Sequence, residues 1–349
     1  MVKESLDSFT FIVVLGNFLK AKCEVRRMKN VGSMLVSRLI QLVFIIFVLS
    51  FVTFVLMKVA PGDPIRSVLK VDDVISTTGD EQRVREELGF DEPILSQYGS
   101  WLLGVMRLDL GESILAKKPV FDLLMSRLPA TFSLAAGGMI VLFFISVPLG
   151  ILGAIYEGRW PDYISRGFAL LGASMPSFWL GLLFMYLFSY KLGLLPVMGK
   201  GTLAHFVLPS VTLGIVMAPM YIRLLRERLV ATLQSPYIES AKARGLSSKR
   251  VLLFHALRGS FIPFVTMFGL SVGSLLGGVM VIEILFSWPG MGELMVDSVM
   301  NRDYPLIQGY ILLIGCFVVI TNLIVDFLYQ WLNPQIRSGK EAGSWQQQQ

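Results

Sequence analysis

The chain has 349 residues; 54% are hydrophobic, 16% are charged, and the mean hydropathy is +0.65. Water-soluble domains run at about 45–50% apolar and about 25% charged, so this composition excludes an ordinary soluble enzyme or binding domain and indicates a polytopic membrane protein. The net charge of +6 does not indicate a nucleic-acid partner: the basic residues sit mainly where cytoplasmic loops belong, and no segment resembles a nucleic-acid module.

In chain order, residues 9–19 are apolar but too few to cross a bilayer, which takes about 20, and no small-residue cleavage site follows them. Residues 1–33 are therefore expected to be an N-terminal cytoplasmic extension, an interfacial helix at most, ahead of a plausible start at Met34. Six spans follow, at residues 35–59, 131–155, 167–191, 206–224, 260–285 and 306–331. Each is long enough to cross roughly 30 Å of hydrocarbon as a helix. Residues 61–130 separate the first two spans. Helical spacing of apolar residues at 80–88 and 93–107 predicts a small helical cap outside the membrane. Residues 338–349 form a polar tail ending in glutamines.

Cys23 and Cys316 give no disulfide framework, His205 and His255 no metal-spacing pattern, and no G-x-x-x-x-G-K-[ST] phosphate loop is present. The expectation is a chain with no catalytic residues and no metal site, binding no ATP or other cofactor itself. An ion-coupled carrier usually places ionisable groups near the bilayer midplane. Here Glu283 and Asp326 are the main charges within spans, and both lie near predicted ends. A hydrogen bond between helices or a loop clamp is expected of them, rather than a proton relay. Pro176, Pro209, Pro219 and Pro263 fall inside spans. Each removes a backbone hydrogen bond and kinks its helix. Ordinary membrane-helix irregularity and the bending of a transport pathway both fit. Gly269, Gly273 and Gly277 repeat at four-residue spacing, which permits close helix approach within the chain or at a subunit interface. Met175, Met217 and Met220 read as packing residues in apolar spans.

Orientation follows from lysine and arginine placement. With the N-terminus inside, residues 1–38, 156–166, 222–258 and 332–349 are cytoplasmic and hold nineteen basic residues. The short outer segments hold only Lys191, Lys200 and Arg302. The long segment from Lys58 to Arg127 carries nine basic and twelve acidic residues, and long translocated loops escape the rule. The chain is therefore expected to place both termini in the cytoplasm.

Residues 235–258, SPYIESAKARGLSSKRVLLFHALR, are the one long basic segment interrupting the apolar second half. Ser235 can cap a helix, Pro236 suits its first position and Gly245 its end. Ser247 or Ser248 can cap a second helix through residues 249–257, giving a helix, a glycine turn and a helix. Small residues at Ser240, Ala241 and Ala243 let the first helix lie flat in a groove of another protein, while Lys242, Arg244, Lys249 and Arg250 remain available to acidic partners.

Glu239-Ser240-Ala241 followed by Gly245 resembles the EAA…G pattern of permease subunits of binding-protein-dependent ABC importers, with Ser240 in place of the usual middle alanine. Residues 237–245, His255-Ala256-Leu257-Arg258 and Ile262-Pro263 are similar to the B-type permease of the dipeptide/oligopeptide/nickel group. So are Pro61-Gly62-Asp63-Pro64, Phe286-Ser287-Trp288-Pro289-Gly290-Met291-Gly292, Arg302-Asp303-Tyr304-Pro305 and Asn333-Pro334. The resemblance covers nearly all of the chain except residues 1–33 and the glutamine-rich end. It implies an all-α type I importer permease, with six transmembrane helices over residues 34–337, an external cap and a cytoplasmic coupling hairpin. It implies a second, similar permease, two cytoplasmic ATPase subunits carrying ATP and Mg, and an extracytoplasmic solute-binding protein. In that setting Glu239, Ser240, Ala241, Arg244, Gly245 and Arg258 couple to the ATPase. The group's solutes are nickel, as ion or chelate, di- and oligopeptides, and glutathione-like peptides; the short segment 193–205 favours nickel or short-loop peptide systems. The alternative is an ion-coupled secondary transporter or channel without an ATPase partner.

Overall fold

The computed structural model describes residues 40, 43–55 and 93–332. The expectations placed on residues 1–33, on 61–92 and on the 338–349 tail lie outside these. The chain divides into two compact units at Phe47/Val48. The described part of the first is helical, and the second holds all that follows.

Helix α1 is Val43–Val55, the described part of the first expected span. Helix α2, Ile94–Met106, falls where the cap's second helix was expected. Ser50 and Tyr98 share a 2.9 Å hydrogen bond, and the Phe54 ring packs edge-on against Tyr98. A turn with one antiparallel bridge, Glu112 to Pro119, leads into α3, Val120–Ile155. At 36 residues, α3 rises roughly 54 Å. Its long partner is α6, Leu203–Leu233. The two meet where side chains are smallest: a Cβ on Gly138 would lie 2.5 Å from Leu213, and one on Gly214 2.6 Å from Val141. Without a hydrophobic drive between helices in lipid, such close backbone approach supplies the packing.

The third expected span is broken rather than kinked. Helix α4, Trp160–Ser174, stops at Met175, which is extended (φ −95°, ψ 127°). Helix α5 starts at Ser177 and widens into a π-helix over Met185–Lys191. The two arms meet at 104°. A proline ring clashes with the helical conformation of the residue before it, and at Met175 that preference prevails. Pro209 and Pro219 in α6 instead lie within an uninterrupted helix, as Pro263 does within Leu257–Gly278.

Helix α7 is Pro236–Ala243. Ser248–Arg250, a π-helical Val251–Ala256 and Leu257–Gly278 then run on as one helix, α8. The expected second arm of a hairpin is thus the start of the spanning helix, which opens at Ser248 rather than at residue 260. It also ends early: Val279 interrupts it, and Met280–Leu285 forms a separate short helix, α9. Helix α10, Met291–Asn301, and α11, Tyr304–Leu332, complete the chain. By length and composition α3, α6, α8 and α11 can each cross a membrane, and the bent α4–α5 pair can supply a fifth crossing.

Candidate functional site

Helix α7 is seated by its apolar side. Ile238 and Ala241 are buried with Ala154 of α3, Leu229 of α6, and Val251 and Ala256 of α8. Ser235 does not cap α7 with its side chain; its hydroxyl donates to the Thr232 carbonyl at 2.5 Å. Ser247 likewise makes no side-chain cap. Pro236 occupies the first turn as expected. At the other end the Gly245 N–H donates to the Lys242 carbonyl (2.9 Å) and the Leu246 N–H to the Ala241 carbonyl (3.4 Å), with Gly245 at φ +79°. This paired closure of a helix end needs a left-handed residue, which glycine supplies. The space around Gly245 is open, so its backbone angle alone sets the requirement.

The opposite side of α7 faces outward. Tyr237, Glu239, Ser240, Lys242, Ala243 and Arg244 are exposed. Arg244 Nε donates to the Ser240 carbonyl at 3.2 Å, and Ser240 Oγ to the Pro236 carbonyl at 2.9 Å. Glu239, in the first turn, complements the positive helix end and makes no ion pair among the described residues. Arg258 is exposed on α8, beside Gly259, whose Cβ would come 3.6 Å from the Tyr237 hydroxyl. The structure therefore separates the expected coupling residues. Glu239, Ser240, Arg244, Gly245 and Arg258 are outward, whereas Ala241 is turned inward and anchors the helix instead of lying on a docking face.

Of the four prolines, Pro209 and Pro219 are buried, Pro263 is half-buried, and Pro176 is exposed at the α4–α5 corner. The glycine stripe packs within the chain: a Cβ on Gly269 would meet Val325 of α11 at 2.5 Å, and one on Gly273 would meet Thr321 at 3.5 Å. Gly277 and the Asp326 side chain lie outside what is described.

At the far end of α3 from α7 sits a second polar constellation. Glu283, fully buried, accepts from Thr131 Oγ1 (2.6 Å) and from the backbone N–H groups of Gly292 (2.7 Å) and Glu293 (3.2 Å) at the start of α10. Thr131 accepts in turn from the Met291 N–H (2.8 Å), and Trp288 Nε1 donates to the Ala130 carbonyl (2.9 Å). A Cβ on Gly290 would fall inside the Glu283 carboxylate, and one on Gly292 would lie 2.8 Å from it. The loop-clamp expectation for Glu283 is met in this geometry. Nearby, Asp303 accepts from Ser113 Oγ (2.5 Å) and from the N–H groups of Ile114 and Leu115 (both 3.2 Å).

A third constellation was not read from the sequence. Asp162, fully buried at the start of α4, pairs with Arg226 of α6 and with Arg166. Its partners lie up to 64 positions away, and no local pattern announces them.

An exposed polar face on an apolar-seated short helix suits a contact with another protein. Residues 146–338, spanning α4 to α11, match the family described as binding-protein-dependent transport system inner membrane component. The chain belongs to this family. Residues 32–135 of the permease match that family's N-terminal membrane component. The permease is 39% identical over 302 residues to the glutathione transport system permease protein GsiC of Escherichia coli (strain CFT073), covering 86% of this chain and 98% of that one. The corresponding Shigella flexneri protein is 38% identical over the same share. Among solved structures it resembles a methionine ABC transporter, MetNI, in inward-facing conformations. That likeness has a TM-score of 0.52 at 15% identity, over 60% of this chain and 96% of that chain, which establishes a shared fold. The protein is an ABC importer permease subunit, multi-pass in the inner membrane.

Proposed function

We propose that this permease imports a peptide-like solute and is driven through α7 and the Gly245 turn by separate ATPase subunits. The observation that carries the reading is the two-sided build of α7. Its apolar side joins three membrane helices at one end of the molecule, and its polar side is left to an outside partner. In this reading two ATPase subunits, holding ATP and Mg, grip α7 and its counterpart on a second permease. Their closure switches the pathway from inward-facing to outward-facing. An extracytoplasmic binding protein delivers the solute at the Glu283 end, and both termini are cytoplasmic. The substrate class rests on the glutathione permeases to which the chain is similar; nickel has no such support among these relatives.

The test is uptake by the reconstituted complex. ATP-driven uptake of radiolabelled glutathione or dipeptide, dependent on the binding protein, is the expected result, and radioactive nickel serves as the competing probe. Gradient-driven flux through the permease alone would overturn the reading in favour of a secondary transporter. Cysteines at Lys200 and Lys249 should label from opposite sides of the membrane.

A further inference from the structure

We propose that Asp162 is a positioning residue of transport, whose ion pair with Arg226 hands movement of α7 to the α4–α5 corner. This rests on the coupling reading above and adds the route by which coupling reaches the one broken span.

The geometry is specific. The two Asp162 oxygens receive Arg226 Nε at 2.6 Å and its terminal nitrogen at 2.9 Å, a bidentate fork. They also receive the Gly158 N–H at 2.9 Å, and Arg166 through Nε at 3.1 Å and through its terminal nitrogen. Glu157 lies 3.7 Å from Arg226 and accepts from Gln234 at 3.4 Å. Two carboxylates thus balance two guanidiniums, and the set is neutral as a whole. Gln234 is the helix-ending residue of α6, one position before Ser235 and α7. The network therefore begins where the coupling helix begins.

Helix α4 has no share in the apolar cluster that seats α7, whose described members come from α3, α6, α7, α8 and the turns between them. It packs on α6 and also on α3, where Gly153 sits against Ser165. Ala169 packs with Ala218 and Ile222, and Gly172 sits against Pro219. These small-residue contacts bring α4 and α6 close together. The Asp162–Arg226 fork fixes position along the axis, because a planar bidentate pair tolerates little displacement. Beyond the corner, Gly181 of α5 abuts Leu285 and Phe286, next to Glu283. A helix start at Asp162 would need only the Gly158 bond. The Arg226 fork is the part that reaches α6, the helix that leads into α7.

The experiment uses the whole complex in proteoliposomes, reading ATP hydrolysis and uptake of the transported peptide probe from the same vesicles. The variants are Asp162→Asn, which keeps an oxygen for Gly158, and Arg226→Lys, which keeps the charge but loses the fork. Hydrolysis is expected to stay within about twofold while uptake falls about tenfold for Asp162→Asn, with Arg226→Lys between. Hydrolysis and uptake falling in proportion, or an unchanged ratio, would overturn the proposal. If Asp162→Asn fails to assemble, Arg226→Lys decides. If neither assembles, the pair is a folding requirement and the proposal falls. Absence of ATP-driven uptake by the unmodified complex would instead count against the import reading.

Discussion

The two ends of α3 use polar groups in opposite ways. At the Glu283 end a carboxylate is fully buried and takes three hydrogen bonds from within the chain, with glycines at 290 and 292 leaving room for it. At the α7 end Glu239, Lys242 and Arg244 stand exposed on a helix of eight residues. A buried charge must be satisfied internally or it is prohibitively costly, so the first end is complete in a single chain. The second leaves its hydrogen-bonding capacity outward, and its stability comes from Ile238 and Ala241 underneath. Polar residues at one end therefore specify shape, and at the other, in the proposed reading, they meet a partner.

The contrast can be tested by asking which end loses stability and which loses only transport. Glu283→Ala is expected to have the largest effect. It leaves Thr131 and the Gly292 and Glu293 N–H groups without their acceptor, costing roughly 3–5 kcal/mol. It should appear as a lowered melting temperature and poor accumulation in the membrane; a normal melting temperature would break the comparison.

Gly245→Pro should leave protein level intact but abolish most uptake, because proline fixes φ near −65° where +79° is needed. Gly245→Asn, which tolerates the left-handed region, should retain uptake, and equal loss by both variants would point away from the backbone angle. Gly269→Leu, which must displace Val325, should destabilise by about 1–3 kcal/mol, read as earlier thermal unfolding of the solubilised protein. Glu239→Lys is the mildest. It should change stability by only about 0.3–1 kcal/mol yet reduce ATPase recovery in pull-down of the membrane complex. Full recovery would mean that Glu239 is not on the docking face.

Much of the architecture was legible because apolar runs of spanning length have one main meaning in a chain this hydrophobic. The helix at 236, its proline start and its glycine end were also legible, since those residues act through their own backbone geometry. What was hidden depends on which side a residue faces. Eight residues make about two turns, too few for periodicity to show that Ala241 points inward. The glycines at 269 and 273 fit an internal or an external neighbour equally until Val325 and Thr321 are seen beside them. Pro176 breaks its helix where Pro209, Pro219 and Pro263 do not, and the residue type alone does not distinguish them. The Asp162–Arg226 pair joins positions too far apart for any local signal.

The corner at Met175–Pro176 also changes what the surrounding lipid encounters. Helix α4 has 15 residues and rises about 22 Å, short of roughly 30 Å of hydrocarbon. Leu170 and Leu171 before the corner, and Phe178, Trp179 and Leu182 after it, are exposed. An exposed apolar wall that turns aside would be met by a thinned bilayer or tilted lipids, at a fraction of a kcal/mol per Å of mismatch. In the proposed transport cycle, lipids of different chain length should therefore change uptake by the reconstituted complex.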